Sequence, residues 1–218
     1  MTSKIIPQKP FLIMFYGYPG CGKSFFASRF AGEFQNTAYL PTYKTVSEIS
    51  KIASGNQQLA SKVTDFIAEN YLQNGISVFT DASVTKKIDR KKLNHLALKY
   101  NAVPILIWMQ IDADSAYMRT KLRAKKSKNE DSAAKYTKEE YQNIVNNMQN
   151  PHQNEDFFVI SGKHTYKTQR ALVMSKMSVL KIINRSEANK NIAKPGLVNL
   201  VPTSLSGRGG FGRNISIR

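Results

Sequence analysis

The feature that most constrains the fold is a glycine-rich turn that joins an apolar strand to a helix. Phe11–Tyr16 is a continuous apolar run, which is typical of a strand buried on both faces of a parallel sheet. Residues 17–24 read GYPGCGKS, and residues 23–34 combine helix formers with regularly spaced phenylalanines. A strand, a tight turn and a helix in immediate succession predict the first unit of an α/β domain.

This turn matches the pattern G-x-x-x-x-G-K-[ST], the phosphate loop or Walker A motif, at every fixed position. Glycines let the main chain curl until successive N–H groups face one centre, and the N-terminus of the following helix adds a positive field. The motif predicts that Lys23 bridges the β- and γ-phosphates of a nucleotide and that Ser24 ligates Mg²⁺. An ordinary glycine turn with a surface lysine is the alternative. The predicted nucleotide-binding residues are Gly17, Tyr18, Pro19, Gly20, Cys21, Gly22, Lys23 and Ser24.

The chain continues as alternating strand and helix patterns. Strands are predicted at 37–40, 76–80, 103–111 and 157–160, and helices at 47–73, 89–100, 114–126, 137–148 and 168–183. Thr137 with Glu140 three residues later forms a capping box for one of these helices. The alternation predicts a parallel sheet covered by helices on both faces, the architecture of a P-loop NTPase.

Asp81 directly follows a predicted strand, at the edge where open α/β sheets place their ligands. A carboxylate in this position holds Mg²⁺ directly or through water, as a Walker B acid does. The alternative is a strand-end aspartate that caps the next helix. We therefore predict Asp81 as a catalytic and metal-binding residue, beside Ser24 as the second metal ligand.

Arg119 and Arg123 lie four residues apart on one predicted helix and so project from the same face. This spacing beside a polar break is typical of a lid, here about 119–150, that closes over a transferring phosphate. The segment is basic throughout, so a solvated face or a nucleic-acid-binding face is an equally good interpretation of either arginine alone. Lys23, Asp81, Arg119 and Arg123 are the predicted catalytic residues.

The composition of the chain limits the kinds of partner and the cellular setting that we expect for it. The chain has 218 residues with 32 Lys or Arg against 15 Asp or Glu, a net charge of +17 that favours an anionic partner. Its single cysteine, Cys21, rules out an internal disulfide framework and is either a reactive thiol or a small residue that fits the loop. The sequence shows no signal peptide and no apolar run long enough to span a bilayer, so we expect a cytoplasmic protein without a membrane partner.

The positive charge is concentrated near the C-terminus. Residues 163–218 hold eleven Lys or Arg residues and one acid, Glu187, and residues 206–213 read SGRGGFGR. Such glycine-rich sequence does not favour a helix or strand interior. We predict a domain at 1–187 and a flexible basic tail at 188–218, which binds nucleic acid, a partner or its own core. The oligomeric state stays open.

Taken together, residues 17–24, Asp81 after its strand, Arg90 and the pair Arg119 and Arg123 resemble the small P-loop kinases. This group contains polynucleotide 5′-hydroxyl kinases and zeta-toxin-like phosphotransferases, and the resemblance spans about residues 10–183. It implies an AAA-type ATP-binding domain that uses ATP and Mg²⁺ to transfer the γ-phosphoryl group to a hydroxyl. The acceptor would be a nucleic-acid end, a nucleoside or a sugar.

The sequence departs from this group in one place. Such kinases carry an acid after the second strand that accepts the proton of the acceptor hydroxyl, whereas residues 39–44 read YLPTYK here. Either Glu48 or Asp81 takes that role, or the protein is an ATP-regulated RNA- or DNA-binding protein or an ATPase with little kinase activity. A guanine-specific motif is absent, which favours ATP over GTP.

Overall fold

The computed structural model describes residues 4–41, 45, 48–49, 57–81, 84–126, 136–184 and 186. The predicted tail at 188–218 and part of the predicted lid, 127–135, lie outside these residues. The elements in chain order are β1 Phe11–Tyr16, α1 Lys23–Ala31, β2 Thr37–Leu40, α2 Gln57–Gln73, β3 Ser77–Thr80, α3 Lys87–Lys99, β4 Val103–Gln110, α4 Ala113–Lys126, α5 Lys138–Asn146, β5 Phe157–Ser161 and α6 Tyr166–Val179.

The five strands form one parallel sheet in the order β2-β3-β1-β4-β5. Strand β1 lies at its centre, where Ile13 pairs with Phe79 of β3 on one side and with Ile105 of β4 on the other. Because all neighbours are parallel, the carboxyl ends of the five strands meet at one edge. The chain reverses its winding beside β1, and open α/β sheets bind ligands at such a point. The predicted α/β architecture is confirmed.

The apolar run of β1 serves both faces of the sheet. All six of its residues are buried. Phe11, Ile13 and Phe15 belong to one buried cluster, whereas the alternating residues belong to a second cluster on the opposite face. A strand that supplies two cores cannot have a polar face, which explains the unbroken apolar sequence.

Helices cover both faces of the sheet. On one face, α1 contributes Phe26 and Phe30 and α6 contributes Met174 to the first cluster. On the other face, α2 contributes Leu72 and α3 contributes Leu93 to the second. The sheet is therefore the middle of three layers, and the turn after β1 lies at its carboxyl edge.

Helix ends differ from the predictions by a few residues. Helix α1 ends at Ala31, and Phe34, predicted as its last turn, is buried in a bridge with Ile5. Helix α6 begins earlier than predicted because the Thr165 side chain caps its first turn. The capping box of Thr137 and Glu140 at the start of α5 is confirmed, with both of its hydrogen bonds formed.

A buried arginine ties α3 to the segment before β5. The Arg90 side chain is 2% exposed and forms a bidentate pair with Glu155, with N···O distances of 2.7 and 2.9 Å. Its Nη1 also donates to the carbonyls of Val84, at 3.1 Å, and Gln149, at 2.9 Å. The guanidinium charge is therefore fully paired inside the protein, and three chain segments depend on it.

Within the described part of the chain, we find no helix with the length and apolar character needed to cross a membrane.

Candidate active site

The loop between β1 and α1 requires glycine at two closely packed positions. Gly17 has φ 147°, and a Cβ atom there would lie 2.5 Å from the Met109 carbonyl oxygen. Gly20 has φ 88°, and its Cβ would lie 2.2 Å from the Ala116 carbonyl oxygen. Both neighbours are main-chain atoms that cannot turn aside. The loop is thus packed against β4 and α4 in a shape that only glycine allows.

Gly20→Ala is expected to destabilise the protein by about 3 kcal/mol and to abolish tight nucleotide binding, because the methyl group displaces the loop from α4. Thermal unfolding and nucleotide titration measure the two effects. Gly75→Ala is the matched control, since Gly75 also has a positive φ, 70°, but its Cβ position lies more than 4 Å from every described residue other than its chain neighbours. Equal losses from both substitutions would show that backbone strain, and not packing of the loop, is responsible.

Lys23 is the first residue of α1, and its side chain folds back over the loop. Its Nζ donates to the carbonyls of Gly17 at 2.6 Å and Tyr18 at 3.0 Å, and lies 3.6 Å from the Cys21 sulfur. The ammonium thus lies above the curl of the main chain, beside the N-terminal amides of the helix. Cys21 is only 1% exposed and packs in the first core cluster, which favours the packing interpretation of this residue over a reactive thiol.

A cavity of about 680 Å³ opens above the loop at the carboxyl edge of the sheet. Its lining comes from residues 19–25, the ends of β2 and β3, α4, and the segment that joins β5 to α6. The cavity brings together the four predicted catalytic residues, Lys23, Asp81, Arg119 and Arg123. Tyr18 faces instead a second hollow of about 370 Å³ beside Trp108.

Asp81, Ser24 and Tyr39 lie close together in this cavity. The Tyr39 hydroxyl donates to Asp81 Oδ2 at 2.8 Å, and the Ser24 side chain lies close enough to influence the same hydroxyl. Burial, and then the charge of Asp81, raise the pKa of Tyr39 well above its usual value, so the phenol keeps its proton. The Ser24 hydroxyl and the Asp81 carboxylate thus lie beside the same tyrosine, and hard oxygen donors suit Mg²⁺. The residues present therefore fit a magnesium ion.

The two arginines of α4 lie at the cavity wall. Arg119 Nη1 donates to the Gly162 carbonyl at 2.8 Å and so links α4 to the segment after β5. Arg123 is exposed and has no hydrogen-bond or ion-pair partner among the residues that the structure describes. One arginine is thus fixed in place, while the other is available to a ligand.

Helix α5 is anchored directly on the phosphate loop. The Tyr141 hydroxyl donates to the Pro19 carbonyl at 3.0 Å, and its ring packs against Tyr117 of α4 and against Tyr136. Burial raises the pKa of Tyr141, which keeps its hydroxyl a donor. The described parts of the predicted lid therefore contact the loop through an aromatic cluster.

Several residues of the cavity were not anticipated from the sequence. They include Tyr39, Tyr136, Gly162, Lys163, His164, Tyr166 and Gln169. Tyr39 alone had a signal, because it lies at the end of a predicted strand where the related kinases carry their acid. The others come from segments that the sheet order brings to the loop, and nothing in their local sequence marks them.

Comparison with known proteins identifies the family. A family model described as an AAA domain matches residues 12–151, which span β1 through α5. The chain belongs to this AAA domain family. No curated protein matches its sequence.

Solved structures share the fold of this AAA domain protein. A gluconokinase from Sinorhizobium meliloti has a TM-score of 0.59 at 14% identity, over 79% of this chain and 94% of that one. Kti12 from Chaetomium thermophilum in complex with ADP-AlF3 has a TM-score of 0.54 at 14% identity, over 79% and 98%. A chain of the Pnkp1/Rnl/Hen1 RNA repair complex has a TM-score of 0.53 at 18% identity, over 67% and 45%. The resemblance to small P-loop kinases is confirmed at the level of family and fold.

Proposed function

We propose that this protein is a magnesium-dependent phosphotransferase that moves the γ-phosphoryl group of ATP to a hydroxyl acceptor. The observation that carries the proposal is the convergence of the phosphate loop, Lys23, Ser24, Asp81 and the α4 arginines on one cavity. The structure of Kti12 with ADP-AlF3 and the kinase fold of the gluconokinase support a nucleotide as the ligand. A cytoplasmic setting stays a prediction from the sequence.

Each group has a role that follows from its place. The loop amides and the N-terminus of α1 bind phosphate oxygens, and Lys23 moves from the loop carbonyls to the β- and γ-phosphates. Ser24 and Asp81 would hold Mg²⁺, which neutralises charge on the phosphate oxygens when it is bound. Arg123, with no described partner, would stabilise the charge on the phosphoryl group during transfer.

Among the described residues that line the cavity, Asp81 is the only carboxylate that could accept the proton of the acceptor hydroxyl. Asp81 lines the cavity, whereas Glu48 is exposed and does not appear in the described lining. The Tyr39 hydroxyl donates a hydrogen bond to one oxygen of Asp81 and so holds the carboxylate at the cavity. Because phosphoryl transfer proceeds through a loose transition state, positioning and charge stabilisation contribute most of the catalysis. We infer that Asp81 serves both the metal and the acceptor.

The decisive experiment offers labelled ATP and Mg²⁺ with three acceptor classes, a nucleic-acid 5′ end, a nucleoside and a sugar. We expect label to appear on one class, and Asp81→Asn to lower that transfer about 100-fold. Asp114→Asn, an exposed aspartate on α4, is the matched control and should transfer as the native chain does. If the label appears only as free phosphate with every acceptor, the protein is an ATPase and the kinase proposal is wrong.

A second candidate, ATP-regulated binding of RNA or DNA, is favoured by the surface of α4. Lys121 and Lys125 are exposed beside Arg119 and Arg123, so a basic helix borders the cavity. The fold shared with a chain of an RNA repair complex agrees with this alternative. Filter binding at several salt concentrations, with and without ATP, separates the two functions, because phosphate contacts give affinity that falls steeply with salt.

A further inference from the structure

The sheet order sets the direction in which a nucleotide lies in the cavity. Asp81 and Tyr39 follow β3 and β2 on one side of the central strand, whereas residues 162–169 follow β5 on the other side. If the triphosphate lies on the loop with its terminal phosphate near Ser24 and Asp81, the base extends toward the β5 side. This placement rests on the proposed function.

Gln169 is a buried polar side chain on that side. It is 5% exposed, lies in the first turn of α6 and lines the cavity. Its Nε2 donates to the Ser161 carbonyl at 2.8 Å. Because a carbonyl can only accept, the amide nitrogen must face Ser161, and a flipped amide would set two oxygens together.

This orientation leaves Gln169 Oε1 as an acceptor. Among the residues that the structure describes, none donates a hydrogen bond to it. A buried amide oxygen without a donor is costly, since buried polar groups are nearly always paired. An amide fixed through its nitrogen and lining a ligand cavity is therefore suited to bind a donor on the ligand.

We propose that Gln169 determines base specificity by accepting a hydrogen bond from the exocyclic 6-amino group of adenine. A 6-oxopurine presents an acceptor at the same place, so Oε1 would face another oxygen and stay unpaired. Sites that use a buried hydrogen-bonding group reject the ligand that lacks its counterpart more strongly than apolar pockets do. Gln169 thus selects ATP over GTP and ITP.

The test measures dissociation constants of ATP and ITP with Mg²⁺ by calorimetry, since their bases differ only in the group at the six position and in the proton that a 6-oxopurine carries on N1. We expect the native protein to prefer ATP at least about tenfold. Gln169→Leu should reduce the preference to within about threefold, chiefly through weaker ATP binding. Gln142→Leu, an exposed glutamine of α5 bonded to Asn146, is the control that should keep the native preference.

A second measurement uses native protein and purine riboside triphosphate, which carries neither an amino nor an oxo group at the six position. Its result does not depend on whether Gln169→Leu folds. Binding as tight as that of ATP would overturn the role of Gln169, as would an unchanged preference in Gln169→Leu. If native protein binds ATP and ITP equally well and a Lys23 variant binds neither, only the inference about Gln169 is overturned. Absence of any nucleotide binding would overturn the proposed function itself.

Discussion

Lys23→Met is expected to lower phosphoryl transfer by about 10²- to 10³-fold and to weaken nucleotide binding in the presence of Mg²⁺. The substitution keeps the length of the side chain but removes the only charge on it. In the native chain the ammonium lies over the loop on the carbonyls of Gly17 and Tyr18, within the space that phosphates would share. Radiolabel transfer and calorimetry measure the two losses separately.

A matched lysine control shows whether the effect belongs to the loop. Lys176→Met removes a charge from α6, where Lys176 lies near Asp156 on the surface, and should leave both measurements unchanged. The Lys23 substitution should leave thermal stability almost unchanged, because water can replace the lysine as the hydrogen-bond donor to these carbonyls. Native affinity and transfer in Lys23→Met would contradict the assignment of residues 17–24 as a phosphate loop.

Arg90→Leu should destabilise the protein by about 3–5 kcal/mol, the largest effect expected outside the cavity. The substitution leaves the Glu155 carboxylate, whose side chain is 12% exposed, without its cation. It also removes the donor to the carbonyls of Val84 and Gln149. Urea unfolding monitored by circular dichroism measures the change in the free energy of unfolding.

The effect of Arg90 should also depend on pH. The Arg90 hydrogen bonds hold the pKa of Glu155 below its usual value in the folded protein. A lowered pKa contributes stability above the unfolded pKa of the carboxyl group, and this contribution is lost as the pH falls through the folded pKa. The difference in stability between native and Arg90→Leu protein should therefore shrink in acid.

Two further variants separate the charge of Arg90 from its packing. Arg90→Leu combined with Glu155→Leu should recover part of the lost stability, because no unpaired charge then remains buried. Lys92→Leu, an exposed neighbour paired with Asp65, should change stability by less than about 1 kcal/mol. If the double variant is no more stable than Arg90→Leu, lost packing and not the unpaired carboxylate explains the effect.

Much of the fold could be predicted because its signals are local. The apolar run of β1, the glycines of the loop and the capping box of α5 each depend on residues within a few positions of one another. The positions of helix ends could not be predicted as closely from local signals. Phe34 is buried although α1 has already ended, because it forms a bridge with Ile5. A periodic pattern reports burial, and it does not distinguish a last helical turn from a packed loop.

The candidate site likewise contains residues that the sequence predicts and residues that only the structure reveals. The loop could be recognised as a unit since all its groups are contiguous, and Asp81 followed from its place after a strand. The contacts of Tyr39, Tyr141 and Gln169 could not be predicted, because the two tyrosines bond to residues far along the chain and Gln169 reaches the cavity only through the packing of α6. Their side chains are ordinary choices for a strand or helix, and only the packing of those elements brings them to the phosphate loop.

The amino-acid sequence by itself determined the strand–loop–helix unit and the chemistry that its glycines and Lys23 can perform, because main-chain curvature and helix polarity are properties of adjacent residues. Only the tertiary structure decided which groups surround that unit. The order of the strands places Asp81 and Tyr39 on one side of the loop and Gln169 on the other. Hydrogen-bond partners so distant in sequence are chosen by the packing of the layers, which leaves no local pattern to detect.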